Sequence, residues 1–346
     1  MRYKIFYILL LPLLLWSCEA EFSPNAEWRE VPVVYCLLDQ DDSVSYVRVQ
    51  KCYLGDDDLK GYASIYDSIN YGADELRVTL LAWRNENDMR NANAAPVRTL
   101  TFDYDEISDK DEGVFASPRQ PVYKHVNSNG DLDTALIYQL VVEKTATGSV
   151  IATATTRLVG DADRTPWLTS PNPISGRLGF HRNRSCQMSW RPFARGRRYQ
   201  ATVRYFYRCR FLQPDSLRYI DMPLPVLAGS SRNADIATSL AMSTFLANVE
   251  TALRGDTNTK DYVDTAVVSL AVCNEPLHAY FNSIELINSS LDQEYAAYTN
   301  IDGGVGIFAA RRTTLKDTIL TDNSDVRPYG LHYLLEDLNV GFGKNN

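Results

Sequence analysis

Tyr199-Gln-Ala-Thr-Val-Arg-Tyr-Phe-Tyr-Arg-Cys-Arg-Phe211 alternates between two kinds of side chain. Tyr199, Ala201, Val203, Tyr205, Tyr207, Cys209 and Phe211 share one face of an extended chain. Gln200, Thr202, Arg204, Phe206, Arg208 and Arg210 share the other. A period of two held over this length predicts a long strand with one buried face and one wet, arginine-rich face.

The rest of the chain continues in the same mode. Val31–Leu38 is a β-rich run, followed by a turn at Asp39–Ser43. Ser45–Lys51 then sets Tyr46, Arg48 and Gln50 against Val47 and Val49. Leu76–Trp83, Arg98–Tyr104, Ala135–Glu143 and Val150–Val159 read as further strands, the last two joined by a Thr147-Gly148-Ser149 hairpin signal. Three prolines at 166, 171 and 173 mark a linker or the start of a second domain. Beyond it, the β pattern breaks at Ala237–Arg254, where Leu240, Phe245, Val249 and Leu253 approximate helical spacing. Val263–Asn274 returns to strand, and Pro276–Leu286 suits a short helix. Short strands at this spacing predict a mainly β protein of two β-sandwich domains of the immunoglobulin or fibronectin-III type. The boundaries are 31–163 for the first and 164–346 for the second, which carries an inserted helix near 237–254.

The charge distribution supports the division. Residues 19–165 hold 26 acidic and 14 basic side chains, whereas residues 166–346 hold 17 and 19. An acidic first half is a poor partner for nucleic acid. A chain that is 45% hydrophobic and 23% charged has a globular composition.

The N-terminus is different in kind. Arg2 and Lys4 precede an apolar run from Ile5 to Leu15, broken by Pro12. That run is too short for a bilayer span of roughly 20 residues and suits a secretory signal. Leu15-Trp16-Ser17-Cys18 follows and resembles a bacterial lipobox, which makes residues 1–17 a lipoprotein signal peptide. Cys18 would carry the covalent lipid at the head of a tether over 18–30. Two or three acyl chains together give stable membrane attachment where one gives only marginal binding.

Motifs for catalysis are sparse. The four histidines form no HExxH pattern and no close pair for a metal, and no GxSxG elbow is present. Cys273 and His278 are near in sequence, but Cys273 ends an apolar strand and reads as a buried, inert thiol. The carboxylates at Asp39, Asp41 and Asp42, and at Asp56–Asp58, do not follow a calcium-loop pattern and read as solvated turns. Besides Cys18, the cysteines are five, an odd number with no CxxC spacing; Cys186 and Cys209 are the pair to test for a bridge. Ten arginines lie between Arg177 and Arg210. Of these, Arg204, Arg208 and Arg210, with tyrosines nearby, form a candidate face for phosphate, an anionic glycan or an acidic protein.

Tyr298-Thr-Asn-Ile-Asp-Gly-Gly-Val-Gly-Ile-Phe-Ala-Ala-Arg311 has three glycines suited to positive φ or close backbone approach, after which Ile307-Phe308 re-enters a core strand. The loop lacks the Lys-Ser/Thr of a phosphate-binding P-loop and precedes a strand instead of a helix. This segment is similar to the closing signature of a family of Bacteroidota lipoproteins, the domain-of-unknown-function family numbered 4249. Val34–Asp39 with Asp42–Lys51 resembles that family's opening block, and Val268–Tyr280 fits the stretch before the signature. The resemblance covers nearly the whole mature chain. It implies a lipoprotein of the outer membrane, at the cell surface or facing the periplasm, often encoded beside a TonB-dependent transporter, with no established activity. Glu19 and Glu21 then resemble the acidic export signal of surface lipoproteins in that phylum. Six Asp-Ser/Thr-apolar triplets, beginning at Asp42, Asp67, Asp133, Asp215, Asp264 and Asp317, resemble O-glycosylation acceptors of its envelope proteins.

The expectation is thus a non-catalytic envelope lipoprotein with no cofactor beyond the lipid on Cys18. It would bind a ligand or dock on a TonB-dependent transporter or other envelope protein. A structural or adhesive lipoprotein is the alternative, and an envelope hydrolase fits less well. Replacing Cys18→Ala should abolish incorporation of radiolabelled palmitate and release the protein from the membrane fraction. Retention as firm as that of the native chain would refute the anchor.

Overall fold

The computed structural model describes residues 30–52, 65–108, 119–162, 168–170, 177–178, 185–210, 216–229, 234–256, 258–289, 297–320 and 330–343. The predicted signal peptide, Cys18, Glu19, Glu21, the predicted tether up to residue 29 and the Asp56–Asp58 run lie outside them. Of the described residues 50% are in strands and 17% in helices, so the protein is mainly β.

The first half contains β1 (Val31–Leu38), β2 (Val44–Cys52), α1 (Tyr66–Ile69), β3 (Leu76–Trp83), α2 (Glu86–Arg90), β4 (Arg98–Ile107), β5 (Gln120–Val126), β6 (Ile137–Lys144) and β7 (Val150–Thr156). The second half opens with β8 (Leu168–Ser170), β9 (Arg177–Leu178), β10 (Ser185–Trp190), β11 (Arg198–Cys209), β12 (Ser216–Pro223), β13 (Leu227–Ala228) and β14 (Ile236–Ala241). It continues through α3 (Met242–Ala252), β15 (Lys260–Cys273), α4 (Glu275–Ser289), β16 (Val305–Leu320) and α5 (Leu331–Glu336).

One mixed sheet runs β12-β11-β15-β16-β1-β2-β5-β4-β3-β6-β7. The join between the halves is β16. Its first part pairs in parallel with β1, from Val33 opposite Val305 to Leu38 opposite Ala310. Its second part pairs antiparallel with β15, from Cys273 opposite Arg311 to Thr265 opposite Ile319. No residue of β16 is shared between the two registers.

The first body closes on itself. Thr153 of β7 exchanges two backbone hydrogen bonds with Asp302, of 3.0 and 2.7 Å, just ahead of β16. β4 helps turn the corner, pairing through Arg98–Phe102 with β3 and through Asp103–Ile107 with β5. Alternate residues then point into one core. Val34, Cys36 and Leu38 enter from β1, Val78, Leu80 and Ala82 from β3, and Tyr138, Leu140 and Val142 from β6. Phe308 and Ala310, from the half assigned to the second domain, fill the same core.

The second body packs β11, β12 and β15 against β10 and β14 of a small sheet ordered β14-β10-β8. The β11 alternation holds along its length. Tyr199, Ala201, Val203, Tyr205, Tyr207 and Cys209 are buried together, against Met188 and Trp190 of β10, Phe245 and Val249 of α3, and Leu334 and Leu335 of α5. The predicted helix over 237–254 begins only at Met242, because Ile236–Ala241 forms β14, laddered to β10 with Leu240 opposite Cys186. Leu240 is buried as the helical spacing requires, but from a strand. The second predicted helix is longer than 276–286 and runs over Glu275–Ser289.

The glycines before β16 are required by geometry. Gly303 and Gly306 have φ of 81° and 117°. A Cβ on Gly306 would sit 2.0 Å from the Val34 carbonyl oxygen, inside the β1–β16 pairing. Gly148 also has positive φ, at 67°, but an added Cβ there meets open space. Gly306→Ala should therefore destabilise the protein by more than about 3 kcal/mol or prevent folding, whereas Gly148→Ala should cost about 1 kcal/mol. Equal midpoints for the two variants in urea denaturation would refute this reading of β16.

Candidate functional site

The arginine face predicted on β11 is built by register. On the side of the sheet turned away from the second core, Arg204 lies opposite Asp221 of β12, Phe206 opposite Tyr219, and Arg208 opposite Leu217. Three cross-strand rows thus stack a charged pair, an aromatic pair and a cation beside a leucine.

The three arginines differ in what they touch. Arg204 forms a two-pronged pair with Asp221, its Nε donating to Oδ1 at 2.7 Å and Nη2 to Oδ2 at 2.8 Å. Its guanidinium also lies 4.0 Å from the centre of the Tyr219 ring. The Arg204 hydrogen bonds hold the Asp221 carboxyl below the usual carboxylate range, against a smaller opposing effect of burial. Arg210 donates from Nε to Asp261 Oδ1 at 2.6 Å. Arg208 is exposed and makes no hydrogen bond or ion pair among the described residues. Among the described residues two of the three predicted cations are therefore in ion pairs, and Arg208 is in none.

Apolar surface flanks Arg208 on the β12 side, whereas Asp261 lies opposite it on β15. Leu217 is 51% exposed and Tyr219 54% exposed, and Phe206 packs edge-on to Tyr219 with ring centres 6.3 Å apart. β12 ends the sheet path, so among the described residues its outer edge has no strand beside it. Sequence alone identified the arginines. It missed Leu217 and Tyr219, because β12 was not recognised as a strand.

The other candidates resolve into structural roles. Cys36, Cys186, Cys209 and Cys273 are buried free thiols, and Cys52 is exposed and free. The Cys186–Cys209 bridge is not formed: Cys186 lies on the small sheet and Cys209 on the large one. Burial pushes the Cys273 thiol up to about 11, and His278 is engaged with Asn282 at 3.2 Å. Asp39 is buried, its Oδ1 accepting from the Asp41 N–H at 3.1 Å, while Asp41 and Asp42 pair with Arg312 and Arg311. Burial raises the Asp39 pKa. Among the described residues no group of three His, Cys, Asp or Glu is placed to hold a metal ion. His125 bridges the Thr101 carbonyl at 2.9 Å and Asp131 at 3.4 Å, and His332 stacks on Tyr262 at 4.0 Å. Of the Asp-Ser/Thr triplets, Ser43 and Thr265 are exposed, and Ser68 and Thr134 are half-buried.

No protein-family model matches this sequence, and no curated protein matches it either. The resemblance to the lipoprotein family therefore rests on the residues quoted for it.

The thiol assignments are directly measurable. A soluble chain truncated after Cys18 should react with one equivalent of Ellman's reagent per molecule when native, at Cys52, and with five after denaturation. Two fewer thiols in the denatured state would restore a disulfide.

Proposed function

We propose that this chain is a non-catalytic lipoprotein, held at the outer membrane by lipid on Cys18 and exported to the cell surface with the help of Glu19 and Glu21. Its two bodies act as sandwich modules of the immunoglobulin or fibronectin-III kind. The outer face of β11 and β12 docks on an envelope partner, with a TonB-dependent transporter as the favoured one.

The observation that carries this reading is the combination at β11 and β12: among the described residues, a strand edge with no strand beside it, two large exposed apolar side chains, and an arginine in no ion pair. Tyrosine and arginine are enriched at the centres of protein interfaces, and an unpaired edge accepts a partner's strand through backbone hydrogen bonds. The Arg204–Asp221 and Arg210–Asp261 pairs support it by fixing the flanking side chains. The lipobox and the resemblance in the opening and closing blocks supply the address.

Charge reversal at Arg204 or Arg210 would set a new carboxylate against Asp221 or Asp261, so Arg208 and Tyr219 are the informative positions. The double variant Arg208→Glu/Tyr219→Ser should stay lipidated and membrane-bound and melt within a few degrees of the native protein. Recovery of the transporter in native outer-membrane pull-downs should fall about tenfold or more. Undiminished recovery would refute docking through this face. Self-association or matrix binding without any transporter would favour an adhesive role.

A further inference from the structure

A second surface, at the junction of the two bodies, carries charge that no described residue neutralises. It is a cleft of about 400 Å³ between α2, the ends of β6 and β7, the turn before β11 and the start of α4. Four arginines and two glutamates line it. Arg90 pairs with Glu86 at 3.4 Å and Arg197 with Glu275 at 2.7 Å, which uses both carboxylates. Arg157 and Arg195 remain.

Neither has an acidic partner among the described residues. Arg195 donates from Nε to the Leu158 carbonyl at 2.7 Å and from Nη2 to the Thr134 carbonyl. These carbonyls take two of the five guanidinium N–H donors and do not cancel the charge. The Arg157 side chain makes no hydrogen bond or ion pair among the described residues. The two cations also act on each other: burial first, and then the Arg157 charge, lower the pKa of Arg195. The backbone at Arg195 takes φ of 63°, a left-handed conformation costly for a non-glycine residue. The turn is closed by the Gly196 N–H donating to the Phe193 carbonyl at 2.9 Å.

Two further features suit a ligand. α4 begins at Glu275 on the cleft wall, so the positive end of a fifteen-residue helix adds to the field. Ile137, Met89 and Pro276 provide an apolar wall for the body of a small molecule. The volume lies within the range of about 300–1,000 Å³ usual for small-ligand sites.

We propose that this cleft binds a small organic anion, a carboxylate or phosphate monoester on a compact body, with Arg157 and Arg195 gripping the anionic group. Guanidinium forks match both kinds of oxyanion. The bound group would supply the counter-charge that the cleft lacks.

The test uses detergent-solubilised full mature chain at low salt, titrated calorimetrically with glucose 6-phosphate, glucuronate and glucose. At least one of the two anions should bind about tenfold or more tightly than glucose, and added salt should weaken it. Arg157→Gln should reduce that anion to the level of glucose. Arg208→Gln, on the separate β11 face, should leave it unchanged, so the two proposals fail independently. Because Arg157→Gln removes one of two unneutralised cations, it should melt at or above the native temperature without ligand. Millimolar concentrations of the binding anion should raise the melting temperature of the native protein only. Anions binding no better than glucose, binding unaffected by Arg157→Gln, or a lower melting temperature for that variant would each overturn the proposal.

Discussion

The structure depends on a single strand serving two registers. β16 gives its first six residues to β1 and its next nine to β15. Backbone N–H and C=O groups at a sheet edge must find partners or water. By pairing on both sides of its length, β16 removes an edge from each body at once. The parallel β1 pairing tolerates no lateral shift, because Gly306 lies against the Val34 carbonyl and a one-residue slip would place Val305 or Ile307 there.

Other bonds converge on the same junction. The Asn274 side chain donates to Thr156 Oγ1 and to the Arg157 carbonyl, both at 2.9 Å, and its N–H donates to the Ala310 carbonyl at 3.1 Å. Arg312 reaches Asp41 and Asp161, tying β16 to the β1–β2 turn and to the segment after β7. The Gly160 N–H donates to the Ala194 carbonyl at 2.9 Å and the Ala194 N–H to the Asp161 carbonyl at 3.0 Å across the connection. The arginine cleft is a by-product of this crowding. Where the ends of so many elements meet, carbonyls are plentiful as acceptors, and the arginines that stitch them outnumber the available carboxylates.

Parts of this were legible in the chain. β11 was, because its two faces differ sharply in chemistry, and so were β1, β3 and the glycine-led start of β16. The remainder of β16 was not: Arg311-Arg-Thr-Thr-Leu-Lys316 shows no clear apolar alternation. β10 alternates, but with Cys186, Met188 and Trp190 in place of the β-branched residues that signal a strand. β5 carries Pro121, which reads as a break and is tolerated here near the strand's start. At the candidate face, the neutralisation of Arg204 and Arg210 was invisible, because Asp221 and Asp261 are brought alongside only by cross-strand register. Arg157 and Arg195 are likewise distant in sequence, and nothing local marks them as neighbours.

The position of β16 along the chain has a consequence for biogenesis. β1 is among the first segments to leave the ribosome, and its parallel partner is made about 270 residues later. Until then the first body is an open ring, with the edges of β1 and β7 unsealed and Phe308 missing from its interior. A growing chain must therefore wait in an unfinished state that invites intermolecular strand pairing. Loss of the last fifty or so residues would strike the N-terminal module as hard as the C-terminal one.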